Sequence, residues 1–181
     1  MMKSFNDLLE IHKWLDELFE EHQRSLLRLD LMAARAALEA YSLELFAHMR
    51  DEEDVMIPIY RERIEAPVGG AAEIFLGEHD KLRQYLVLFR DEITRLESAD
   101  DLEKGVLFLL DSQHLFKRLL VHHDTRERKM LYPLLDQVTT KRERETIFAS
   151  IHVCAGPNLA LKRRAKFMPT LPVDSYVFTT S

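Results

Sequence analysis

His48 and His123 are each followed by a glutamate four residues later and a proline ten residues later, giving His48, Glu52 and Pro58 in one copy and His123, Glu127 and Pro133 in the other. Four residues span about 6 Å of helical rise and roughly one turn, so the imidazole and the carboxylate stack on one helix face. Mixed imidazole and carboxylate donors suit iron, manganese or zinc. A single pair would carry little, because histidine and glutamate at this spacing are ordinary on a solvated helix face. The same phrase written twice points to a duplicated metal site.

Both copies lie in apolar stripes at helical spacing. Around the first, Leu38, Tyr41, Leu45, His48, Glu52, Val55 and Ile59 advance in steps of three and four; around the second, Phe116, Leu119, His123, Glu127, Met130 and Leu134 do the same. Such a stripe is the buried seam of a bundle helix. An ionised carboxylate on a buried seam needs a partner, since its unpaired burial is too costly to be a packing accident. The same pattern adds two more histidines. His79 falls on a seam of Phe75, Leu82, Leu86, Phe89, Ile93 and Leu96, and His12 on one of Phe5, Leu8, Leu15, Phe19, His22, Leu26 and Leu29.

Four seams require four helices to carry them. The spacing predicts helix A over residues 5 to 29, B over 32 to 64, C over 71 to 97 and D over 102 to 137. Ser4 with Asp7 and Asp100 with Glu103 have the form of capping boxes, and Ala66-Pro67-Val68-Gly69-Gly70 is the strongest break. In an antiparallel helical hairpin, residues equally distant from the turn lie level. His12 and His48 each stand eighteen residues from Asp30, and His79 and His123 each stand twenty-two from Asp101. The B-to-C connection is offset, with His48 twenty residues before Val68 and His79 eleven after it.

The other histidines fit less well. His22 is on the helix A seam but about 15 Å along it from His12, a core or supporting position. His114 falls on the opposite face of helix D, His122 sits about 100° from the seam as the nearest rival to His123, and His152 is in the tail.

The expected class is therefore all-α: an up-and-down four-helix bundle of two duplicated hairpins over residues 1–140, followed by an extension over 141–181. A chain of 181 residues with 46% hydrophobic content can bury a sizeable core. The stretch 141 to 152 either extends helix D or forms a short fifth helix. Beyond it, Pro169 and Pro172 punctuate a segment ending Tyr176-Val177-Phe178, which is open to docking as a strap or to a dimer contact. A lone cysteine, Cys154, excludes an internal disulfide and a thiolate zinc knuckle. The start has no signal-peptide core and no apolar run approaches membrane-helix length, so cytoplasm is the default. A net charge of -6 argues against a nucleic-acid partner, and the one basic run, Lys162-Arg163-Arg164-Ala165-Lys166, reads as a solvated face.

Over residues 5 to 137 this order of motifs resembles the HHE cation-binding branch of the hemerythrin family: a histidine in helix A, His-x-x-x-Glu then proline in B, Glu78-His79 in C, and His-x-x-x-Glu then proline in D. The resemblance implies two iron ions in a non-haem centre, with His12, His48, His79 and His123 as terminal ligands and Glu52 and Glu127 as bridges. It also implies a small diatomic ligand, O2 or NO, or iron sensing. Oxygen-carrying hemerythrins place a second histidine one turn after the helix C ligand; here that residue is Arg83. The more symmetric set is closer to the sensing and stress-linked relatives. Two other readings stand beside it: an oxidase or peroxidase-like enzyme, for which Tyr41 is the nearest tyrosine on a seam, and a structural zinc or mononuclear site. Manganese or zinc could replace iron in the same donors. A protein partner or homodimer stays open.

Overall fold

A computed structural model describes residues 4–152, and among them there is no strand. Cys154, the basic run and the proline-punctuated terminal segment lie outside the described residues. After a 3-10 turn, Phe5–Leu8, the chain forms α1 (Leu9–Leu27), α2 (Leu31–Asp51), α3 (Ile57–Arg63), α4 (Ala72–Leu96), α5 (Leu102–Arg126), α6 (Tyr132–Val138) and α7 (Lys141–Ser150). No helix is long and apolar enough to cross a membrane among these residues.

Each of the four long helices packs on two others: α1 on α2 and α5, and α4 on α2 and α5. Their apolar stripes meet in one core. Phe19 anchors its middle, with ring centroids 5.0 Å from Tyr41 and 5.0 Å from Phe116, and Phe116 lies 5.4 Å from Phe89. Removing one such buried ring costs about 3–5 kcal/mol, through lost burial and the cavity left behind.

Helices B and D are each interrupted where the sequence predicts continuity. A π-helical turn, Glu52–Met56, separates α2 from α3, and a second, Glu127–Leu131, separates α5 from α6. The Ile57 amide donates to Glu52 O and the Tyr132 amide to Glu127 O, five residues back. The prolines explain this. A proline inside a helix lacks a donor and crowds the carbonyl four residues back. One extra residue in the turn lets a new helix begin just before Pro58 or Pro133, where a missing N–H is tolerated.

The extra residue also shifts both seams by one. Met56, Ile57 and Tyr60 are buried where Val55 and Ile59 were expected, and Leu131, Tyr132 and Leu135 where Met130 and Leu134 were expected. The displaced residues, with Leu119, are only half-buried.

At the ends, Ser4 and Asp7 form the expected capping box. On α5 the cap is Asp101, which accepts from the Lys104 amide at 3.0 Å, one residue later than the Asp100 expected from the motif. Leu29 leaves the helix A seam: it adopts φ 58° in the α1–α2 turn, so that Asp30 can cap α2 through the Ala33 amide at 2.9 Å. The B-to-C offset is taken up by α3 running past the start of α4, with the Tyr60 hydroxyl donating to Gly70 O at 2.8 Å. Thr139 is extended and Thr140 opens α7 with its own capping box, making residues 141–150 a separate short helix. Its Phe148 packs on Phe5 with centroids 5.1 Å apart, inside the same core.

Candidate metal centre

The structure brings His12, His48, Glu52, His79, His123 and Glu127 together in the core. All are buried except His12, whose side chain is 14% exposed. The histidines meet in two pairs through their Nε2 atoms: His12 with His48 at 3.0 Å and His79 with His123 at 3.1 Å. These are the pairs that equal distance from each hairpin turn places level.

Each glutamate reaches both pairs. Glu52 lies 3.6 Å through Oε1 from His48 Nε2 and 3.3 Å through Oε2 from His79 Nε2. Glu127 lies 2.7 Å through Oε1 from His123 Nε2 and 3.4 Å through Oε2 from His12 Nε2. The ligand atoms form two groups compatible with a metal ion, Glu52 with His79, His123 and Glu127, and His12 with His48 and Glu127. Glu52 Oε2 and both Glu127 carboxylate oxygens are buried with no hydrogen-bond partner.

The outward nitrogens show what the inward ones must be. His79 Nδ1 faces Glu53 Oε1 at 2.7 Å, and His123 Nδ1 faces Glu78 Oε2 at 3.0 Å. A carboxylate accepts, so each Nδ1 carries the hydrogen and each neutral ring presents a bare Nε2 lone pair. Two lone pairs 3.1 Å apart beside two carboxylates require a cation between them, either protons or a metal ion. The group fits a metal on this ground.

Charge follows the same geometry. Burial works against protonating His123, but Glu127, Glu78 and Glu52 outweigh it and push its pKa up to about 10. His12 and His79 are raised too, their carboxylate neighbours overcoming burial. His48 is lowered by burial, which Glu52 only partly offsets. Burial of Glu52 opposes its charge, yet the His48 and His79 rings hold its pKa well below the usual range. Buried Glu78 is likewise held at about 2, by His123 and Arg126.

Three arginines stand behind this shell. Arg83, at the position where oxygen carriers have a histidine, bonds both Glu53 oxygens at 2.8 and 2.7 Å. Arg126 Nη2 bonds Glu78 at 2.9 Å, and Arg128 Nη2 bonds Asp124 at 3.1 Å, whose other oxygen faces His12 Nδ1 at 2.6 Å.

Tyr132 is one of the site residues that sequence reasoning missed, with Glu53 and Asp124. Its hydroxyl donates to Glu52 Oε1 at 2.6 Å and lies 3.4 Å from His12 Nε2. Tyr41, expected as the nearest tyrosine, instead packs against Phe19 and Phe116 in the aromatic layer. Only the π turn rotates Tyr132 inward, and Ile57 holds the matching position in the other copy, so the phenol is on one side alone.

The remaining histidines stay apart. His122 and His114 are exposed, which leaves His123 as the residue of helix D in the cluster. His22 is buried with both nitrogens satisfied, Nδ1 to Ala34 O at 2.8 Å and Nε2 to the Gln113 amide at 2.8 Å. His152 packs on Asp51, with Nδ1 2.8 Å from Oδ1. A cavity of about 480 Å³ runs between α1 and α5, with Leu15, Phe19, Tyr41 and Leu45 in its wall and His12, His48 and His123 also lining it.

The profile of the hemerythrin HHE cation binding domain matches residues 4–135. No curated protein and no solved structure matches the chain.

Proposed function

Because the chain belongs to the hemerythrin HHE cation-binding family, we propose that it is an up-and-down four-helix bundle holding two metal ions. One is held by His12 and His48, the other by His79 and His123, with Glu52 and Glu127 bridging. The observation that carries this reading is the double pairing of Nε2 atoms at 3.0 and 3.1 Å with two carboxylates that each span both pairs. The ring of contacts among the four long helices supports the topology.

Iron is the metal we assign, on the family; manganese or zinc suit the same donors. When bound, such a centre supplies open coordination positions and a redox change to a small diatomic ligand, O2 or NO. The chain's own residues orient and insulate. The outer carboxylates fix the tautomers of the His12, His79 and His123 rings so that Nε2 points inward. Phe19, Tyr41 and Leu45 keep the site's surroundings apolar, and the α1–α5 cavity gives a small ligand a path to His12 and His48.

Binding or sensing is assigned ahead of catalysis. A second reading, an oxidase or peroxidase-like enzyme, draws on Tyr132, a buried phenol in hydrogen-bond contact with Glu52 that could hold or release a proton at its hydroxyl. Exposing anaerobic iron(II)-loaded protein to NO, and separately to O2, tests the assignment. Optical and magnetic spectra should change with saturating stoichiometry. No response to either gas would remove the diatomic reading, while turnover of added peroxide that is lost in Tyr132→Phe would favour the enzyme.

A further inference from the structure

The outer shell of this site follows a cyclic rule. Helices B, C and D each supply, from a residue adjacent in sequence to one of their own site residues, the carboxylate that holds the histidine of the next helix. Glu53, beside Glu52, serves His79 on α4; Glu78, beside His79, serves His123 on α5; Asp124, beside His123, serves His12 on α1. The fourth link, from α1 to His48 on α2, is missing. The residues beside His12 are Ile11 and Lys13, and neither can accept a hydrogen bond through its side chain. His48 Nδ1 is accordingly buried without a partner among the described residues.

The arginines grade the links that exist. Arg126 and Arg83 are 24% and 33% exposed, whereas Arg128 behind Asp124 is 53% exposed. An exposed ion pair holds its carboxylate weakly. The His79–His123 half-site thus has two well-backed carboxylates, and the His12–His48 half-site has one weakly backed carboxylate and one bare nitrogen. A carboxylate on Nδ1–H raises the basicity of Nε2 and locks the ring's orientation, and losing such a partner typically lowers metal affinity about 10–100-fold.

We propose that the two half-sites are unequal: the His79–His123 half-site binds metal first and retains it, while the His12–His48 half-site, both of whose histidines line the α1–α5 cavity that only His123 of the other pair reaches, fills second and exchanges. Glu53 with Arg83, and Glu78 with Arg126, are the positioning residues that make the difference. The inference rests on the dinuclear reading above.

Anaerobic iron(II) titration against a chromophoric chelator tests it. The full chain should show two steps separated at least about ten-fold in affinity. His79→Ala should abolish the tighter step and His12→Ala the weaker one. Glu53→Gln should weaken the tighter step about 10–100-fold and Asp124→Asn only the weaker. Arg83→Met, at a partly exposed position, should move the tighter step in the same direction as Glu53→Gln with an unchanged fold by circular dichroism. Two ions of equal affinity, or Glu53→Gln and Asp124→Asn acting on the same step, would overturn the inequality and leave the dinuclear reading standing. Saturation at a single ion would instead overturn the dinuclear reading itself.

Discussion

The hydroxyl of Tyr132 donates to Oε1 of Glu52 at 2.6 Å, joining the two copies of the duplicated phrase through a contact that only one copy can make. Both groups are fully buried, and the bond is to a carboxylate, the kind that contributes about 1.5–3 kcal/mol. Tyr132→Phe should lower the stability of metal-stripped protein by about that amount. Chemical denaturation of the two proteins measures it; equal midpoints would mean that the hydroxyl does not hold Glu52.

His22 and Gln113 form a separate, fully satisfied polar link between α1, α2 and α5. Gln113 also accepts from the Gln23 amide at 2.9 Å. Gln113→Leu leaves buried His22 Nε2 without a donor, at a cost of about 1–3 kcal/mol. Metal content should be unchanged. Iron analysis beside the melt distinguishes this from a site residue, and loss of iron in the variant would place His22 in the centre after all.

Much of this centre was legible because chemistry and periodicity coincide in it. His48, Glu52, His123 and Glu127 announce themselves by repetition, and His12 and His79 by seam position and distance from the hairpin turns. Regular helical spacing fails chiefly at the two π turns, where Pro58 and Pro133 force an extra residue. Those turns decide which side chains of α3 and α6 face inward, and so Tyr132 was invisible while Val55, Ile59, Met130 and Leu134 were overcounted. Glu53 and Asp124 were hidden for another reason, and Glu78, visible as part of the helix C motif, had no role there: all three act across helices, and no spacing within one helix reveals that. Arg83 reads in sequence as the absence of a histidine and in three dimensions as the clamp on Glu53.

Proton competition at the centre extends above neutral pH. A histidine whose folded pKa is raised to about 10, as for His123, stabilises the metal-free fold fully below its unfolded value near 6.5 and loses that contribution as pH rises through 10. Metal must displace that proton, so iron affinity should climb with pH from about 6 to about 8.5 rather than level off just above 6.5. The gap between metal-loaded and metal-free melting should widen over the same interval, because the metal-free form weakens as the loaded form gains. Paired melts across this range check the sign. A gap that is constant or narrows with rising pH would show that His123 is neutral in the metal-free protein.

Metal content per chain tests the two-ion centre most directly. Protein purified under iron-replete conditions should hold close to two irons per chain, falling to at most one in His12→Ala/His48→Ala and to at most one in His79→Ala/His123→Ala. One tightly bound ion in the parent protein that survives the loss of His12 and His48 undiminished would contradict a dinuclear site bridged by Glu52 and Glu127.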